Sequence, residues 1–157
     1  MARLMEFSAP EQKHHLDKIR DLPDFGPTPF AAGPPLARRR VAIVTTSGLH
    51  ARGDRPFDIG AADYRVIPGD TAAADLVMSH VSVNFDRSGF QEDINVVFPV
   101  DRLRELQRDG VIGAISDFHY SFMGAQREAG RIERETGPEV ARRLVDEGVD
   151  LALITPT

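Results

Sequence analysis

The chain has 157 residues, 41% of them hydrophobic and 27% charged, with 19 Lys and Arg against 24 Asp and Glu. The resulting net charge of -5 argues against nucleic acid as the main partner, because phosphate binding needs a basic face. Cysteine is absent, which removes disulfides, thiolate metal sites and thiol nucleophiles from these residues.

The length suits one domain that buries its own core. No stretch is apolar for long enough to span a bilayer, and the opening "MARLMEFSAPEQKHH" has no signal-type apolar run. No membrane partner is therefore expected, and the cytoplasm is the expected location. Residues 1–40 read as a Pro-rich N-terminal arm. A short helix is expected over Pro10 to Asp21, with Leu16 and Ile19 as its apolar points. The following "LPDFGPTPFAAGPPLARRR" carries too many prolines for a helix or a central strand. Its closing arginines, Arg38 to Arg40, read as a solvated flank.

From Val41 the texture changes, and residues 41–157 read as one α/β domain. "VAIVTT" (41–46) predicts a buried strand, "YRVIPGD" (64–70) a shorter one, and "ADLVMSH" (74–80) a third that ends at His80. "FPVDRLRELQRDG" (98–110) predicts a helix opened by Pro99 and stopped by Gly110, with "VIGAISD" (111–117) following as a strand. "GPEVARRLVDEG" (137–148) repeats the arrangement, with Pro138 opening, Gly148 closing and a strand over 149–154. Serial helix–Gly–strand units predict a mostly parallel sheet with helices on both faces, a Rossmann-like three-layer fold. No GxGxxG or Walker loop follows a strand, so nucleotide binding has no positive support.

In such sheets ligands bind beyond the carboxyl ends of the strands. His50 follows the first strand, His80 closes the third, and His119 follows the strand at 111–117, so parallel strands would bring three imidazoles to one rim. Asp54, Arg55, Asn84, Asp86, Asp93 and Asn95 lie in the same connectors. Three readings stay open for the histidines: hydrogen-bonded loop residues, a His/carboxylate metal site, or a proton-handling or carboxylate-binding pocket. No HxH or HExxH spacing supports a metal, and none is assigned. "FHYSFMG" (118–124) reads as a loop packed on the sheet, and "RIERETGPEVARR" as a solvated helix face. No GxSxG or SxxK setting supplies a nucleophile.

These segments carry a family resemblance. The GxH at Gly48–His50, the SH at Ser79–His80, the DIN of 93–95 followed by Phe98–Pro99, and the H-x-x-F-M-G of 119–124 resemble the glycine/sarcosine/betaine/D-proline reductase selenoprotein B family. The likeness runs from about Val41 to Thr157, closest to the short D-proline reductase type of subunit. The resemblance implies a subunit of a selenol- or thiol-dependent reductase that cleaves a C–N bond in a small amino acid or amine. It further implies a partner subunit whose pyruvoyl group holds the amino substrate, and a thiol electron donor. His50, His80 and His119 carry over as catalytic candidates, and Asp93, Asn95 and Asn84 as substrate-binding ones, assigned only as a group.

In the family the selenocysteine, or cysteine in some relatives, comes directly after the strand matching Leu151 to Thr155, with a further C-terminal third beyond it. The expectation is that these 157 residues end at that position, at a UGA codon or by a cut, and are inactive alone. The alternatives are a non-catalytic binding or scaffold subunit and a histidine-based metal-dependent lyase or hydrolase. A last strand apolar on both faces also predicts an exposed apolar patch and a homo-oligomer.

Overall fold

The computed structural model describes residues 4–20, 26–27, 31–82, 85, 87–126 and 128–157. Asn84 and Asp86 lie outside the described residues. The chain divides into two compact units, Met1–Ala32 and Gly33–Thr157. In the first, α1 (Ala9–Arg20) opens on Ser8, whose backbone N–H and hydroxyl both donate to the Glu11 carboxylate. Among the described residues, no helix is long and apolar enough to cross a membrane.

The second unit is mixed α/β and is built on β1 (Arg40–Thr45). Its β-branched run is buried on both sides, with Val41, Ala42, Ile43 and Thr45 all nearly inaccessible to solvent. The strand at 149–154 forms as β7 (Leu151–Thr155) and pairs in parallel with β1 from Val41↔Leu151 through Thr45↔Thr155. Two short strands, β5 (Ala114–Ile115) and β6 (Phe118–Phe122), also pair in parallel with β1, at its start and its end. β1 has only two edges and β7 takes one of them, so β5 and β6 form a single broken course along the other. Beyond β6 lies β3 (Tyr64–Pro68), which runs antiparallel from Tyr64↔Phe122 to Pro68↔Phe118. The order is therefore β3, β6 with β5, β1, β7, and the sheet curls around β1.

The break between β5 and β6 is a slip of register. Arg40 pairs with Ala114, whereas Val44 pairs with Tyr120, so two extra residues enter on the β5–β6 side. Residues 118–122, expected as a loop, are an interior strand for this reason. The bulge at Ser116 and Asp117 restores pairing, and Tyr120 and Ser121 are then fully buried.

The expected strand at 74–80 shortens to β4 (Leu76–Met78). It pairs antiparallel with a strand not anticipated, β2 (Leu49–Ala51), in a separate two-stranded sheet. The polar Ser79 and His80 leave that ladder. The next connector forms α2 (Ser88–Glu92) and a 3-10 turn at Ile94–Val96.

Two apolar clusters hold the sheet. Val41 and Ile43 pack with Phe98, Val100 and Leu103 of the segment that carries α3 (Val100–Arg108). Val44 packs instead with Tyr120, Phe122 and Val140, the last from α4 (Gly137–Asp146). Alternate β1 residues therefore feed different clusters, as the period of two requires. α4 follows a π-helical turn at Ile132–Thr136, and Gly148, at φ +68°, ends the helix before β7.

Candidate functional site

Parallel pairing sends the carboxyl ends of β1, β6 and β7 to one edge, where hydroxyl groups collect. The Thr45 and Thr155 hydroxyls both donate to the Val97 carbonyl, at 3.0 and 2.8 Å, and Thr45 Oγ1 lies 2.8 Å from Ser47 Oγ. Beyond them the Thr157 N–H donates to Thr46 Oγ1 at 2.9 Å. Gly124 sits against both strand ends. A Cβ there would lie 2.8 Å from the Thr46 carbonyl oxygen and 2.9 Å from that of Thr157. "VTTS" and "ITPT" carry the sequence signal for this cluster, which contains neither an acid nor a base.

The β2–β4 sheet hangs from the same edge. Gly48, at φ +66°, donates to the Phe122 carbonyl and accepts from Ser79 N–H. A Cβ on Gly48 would come within 3.0 Å of the His80 backbone nitrogen. The Gly48–His50 and Ser79–His80 motifs are thus two sides of one backbone contact.

The three histidines are all buried, with His50 in β2, His80 just past β4 and His119 within β6, and no hydrogen bond joins any two of them. His50 Nδ1 donates to the Ala51 carbonyl, which leaves Nε2 as a buried acceptor. His80 Nδ1 accepts from Ser82 N–H, and His119 Nδ1 accepts from Ile43 N–H at 3.1 Å, so each carries its proton on a buried Nε2. Burial, with Arg104 nearby, pushes His119 down to about 4, and burial with Arg87 nearby lowers His80. Both rings are neutral at pH 7.

Asp93 and Asn95 are committed to capping. The Asn95 side chain donates to Asp93 and Asp101 carboxylates and accepts the Asp101 N–H, which caps the start of α3. The Asn95 backbone N–H, and after it the Asn95 side chain, hold the Asp93 carboxyl below its ordinary range, and the Asn95 side chain followed by Arg104 does the same for Asp101. Asp54 accepts its neighbour's N–H, and Arg55 and the buried Arg65 share Asp63. Among the described residues, no three His, Asp or Glu side chains group in a metal-holding arrangement.

Three cavities frame this edge and its opposite. The largest, about 770 Å³, lies at the amino end of β6 beside Arg104 and Asp117. One of about 520 Å³ lies at the carboxyl edge between residues 59–62 on one side and residues 125–126 and 128–134 on the other. A third, about 350 Å³ and almost wholly apolar, runs from Thr46 and Gly124 along α4 to Ile154. Gln126 lines the last two. By the rule for open α/β sheets the carboxyl edge, not the larger cavity, is the candidate site.

The family model for glycine/sarcosine/betaine reductase selenoprotein B matches residues 27–157. The chain belongs to that family. It is 40% identical over 116 residues to D-proline reductase subunit gamma of Acetoanaerobium sticklandii, covering 73% of this chain and 47% of that one. Over 127 residues it is 32% identical to the sarcosine reductase complex component B subunit beta of Peptoclostridium acidaminophilum, covering 78% and 29%. The betaine reductase complex component B subunit beta of the same organism matches at 28% over 130 residues, with the same coverage. This selenoprotein B family chain thus spans about half the length of the first relative and under a third of the other two. No solved structure shows significant similarity to it.

Proposed function

We propose that this chain is part of a subunit of a selenol- or thiol-dependent reductase acting on a small amino acid or amine of the glycine, sarcosine, betaine or D-proline type. The observation that carries the proposal is the full-length parallel pairing of β7 with β1. It delivers Thr155 to Thr157 to the carboxyl edge, beside Thr46, Ser47 and Gly124. In the family the selenocysteine or cysteine follows the strand that matches β7. The proposal places that residue after Thr157 in the working polypeptide, with a further C-terminal segment covering β7. The parallel course of β5/β6, β1 and β7, with a separate apolar cluster on each face of β1, supports a Rossmann-like three-layer arrangement.

The residues present fit such a group. Gly124 leaves room for the backbone that leaves β7, and the Thr46 hydroxyl offers a donor at the same edge. A selenolate or thiolate there supplies the electron pair for reductive C–N cleavage. The chain's own part is positioning. Thr45 and Thr155 pin both strand ends to the Val97 carbonyl, and the Gly48–His80 contact fixes the loop above them. His50, His80, His119, Asp93, Asn95 and Asn84 stay in the proposal as one supporting group. In it the neutral His80 and His119 serve as hydrogen-bonding rather than cationic members.

A pyruvoyl-type substrate-binding subunit and a thiol electron donor complete the proposal, with the cytoplasm as its setting, while the 157-residue chain taken alone self-associates through its exposed β7. Intact mass of the protein expressed from its own gene tests it. A product longer than 157 residues with selenocysteine or cysteine after Thr157 supports the proposal. A product whose sequence past that point carries neither sinks it.

A further inference from the structure

We infer that the cleft between residues 58–62 on one side and residues 125–126 and 128–134 on the other binds a small zwitterionic amino acid. Arg131 and Arg134 hold its carboxylate, while Glu128 and Asp58 face its cationic nitrogen. The inference rests on the reductase proposal for the relevance of such a ligand, but its physical basis is separate.

The cleft has pinned walls. Gln126 Nε2 donates to the Ala61 carbonyl at 2.6 Å and to that of Met123 at 2.7 Å, and the buried Thr136 hydroxyl donates to the Ala62 carbonyl at 2.7 Å. The bonds to Ala61 and Ala62 fasten the loop before β3 to the segment after β6, and the bond to Met123 holds Gln126 against its own segment beside the 520 Å³ cavity. An annexe of about 230 Å³ continues it past Arg131 to Asp58 and Arg65. Such a volume suits a small metabolite.

Its charges are mixed and partly uncommitted. Arg131 pairs with Glu135 at the surface, whereas Arg134, Glu128 and Asp58 form no ion pair among the described residues. Arg134 folds back over Gly130, where a Cβ would come within 2.9 Å of its guanidinium. A guanidinium takes a carboxylate through two parallel N–H bonds. Glu128 beside the arginines in the cleft and Asp58 in its annexe oppose a polyanion but favour a ligand with a cationic nitrogen close to its carboxylate. Asp58 and Glu128 suit a protonated amine or a quaternary ammonium equally.

Two features set this cleft apart from an ordinary charged surface. It opens at the carboxyl edge, since β3 begins there and residue 125 leaves there, and Gln126 joins it to the groove that ends at Thr46 and Gly124. One wall is also a π-helical turn, a geometry concentrated at functional sites. That turn needs Gly137, because a Cβ there would lie 2.6 Å from the Ile132 carbonyl oxygen.

The test is a titration of the 157-residue chain, ¹⁵N-labelled, with D-proline, glycine betaine, acetate and D-prolinamide. The zwitterions are expected to shift amides of Ile59 to Ala62, Ala125, Gln126 and Glu128 to Arg134, acetate more weakly, and D-prolinamide not at all. Arg134→Gln should weaken zwitterion binding about tenfold, the scale of one charge-assisted hydrogen bond. Glu128→Gln should keep acetate binding and lose the preference for zwitterions. Absent shifts, shifts elsewhere, or shifts unchanged in Arg134→Gln overturn the inference. Binding at the cleft by a chain whose complex reduces none of these compounds leaves the site standing and removes the reductase proposal. Reduction without binding at the cleft does the reverse.

Discussion

The Ile43 N–H donates to the imidazole Nδ1 of His119 at 3.1 Å, taking a side-chain nitrogen where a parallel ladder ordinarily offers a carbonyl oxygen. The two-residue slip between β5 and β6 withdraws that carbonyl, and His119 stands in for it while its ring packs edge-on against Phe98. His119→Ala should cost about 3 kcal/mol, from an orphaned buried N–H and a cavity together. His119→Asn, whose Oδ1 can take the place of Nδ1, should cost at least about 1 kcal/mol less. Urea unfolding measures both. Equal losses would show that the hydrogen bond contributes nothing.

The same ring gives stability a pH dependence. Its folded pKa of about 4 lies below the ordinary imidazole value of 6.5, because of burial first and Arg104 second. The unfolded chain therefore binds more protons between those values, and stability rises with pH across that window. His119's contribution, of order 3 kcal/mol, is complete above pH 6.5 and is lost as pH falls through about 4. His80, also lowered, adds the same sign. Subtracting the His119→Asn profile from the parent profile should leave a slope confined to that window. A flat difference would contradict the assignment.

Gly124 joins three chain segments at the carboxyl edge. Gly124→Ala drives a methyl into the Thr46 and Thr157 carbonyls, both backbone atoms that cannot step aside. A loss of about 1–3 kcal/mol is expected. Hydrogen exchange should show it at the end of β7 and at Thr46 before anywhere else. Unchanged protection there would mean that the strand ends do not meet at Gly124.

β7 is bare where β3 is defended. Both are edges of the described sheet, yet β3 carries Arg65 and ends on Pro68, whereas 151–155 has no charge. Ile154 is 64% and Val145 of α4 74% exposed. The isolated chain should self-associate, and Ile154→Lys should return it to monomer at little cost in stability. Light scattering decides between a monomeric parent chain, which would refute this, and an association that the variant abolishes.

The strongly periodic segments were legible before the fold was known. Val41 to Thr45, the helices opened by Pro99 and Pro138, and the final strand all form within a residue or two of expectation. The interior strand at 118–122 was not legible, because its polar members, His119 and Ser121, are buried only through a register slip that no local pattern announces. The same slip moved His119 from the expected rim into the sheet. Antiparallel pairing of β4 with β2 broke the premise that brought His80 and His50 to that rim as strand ends. Their motifs instead mark the Gly48–His80 backbone contact. Asn95 looked like a ligand residue because helix caps and ligand sites use the same side chains.

The central proposal is tested most directly by isolating the complex through a tag on the chain in its own cell and supplying a dithiol. Glycine, sarcosine, betaine and D-proline are then offered one at a time, with thiol oxidation and the cleaved product measured together. The proposal predicts that at least one compound drives oxidation with one C–N bond broken per dithiol consumed. Thiol oxidation that ignores all four, with no cleaved product, would contradict it.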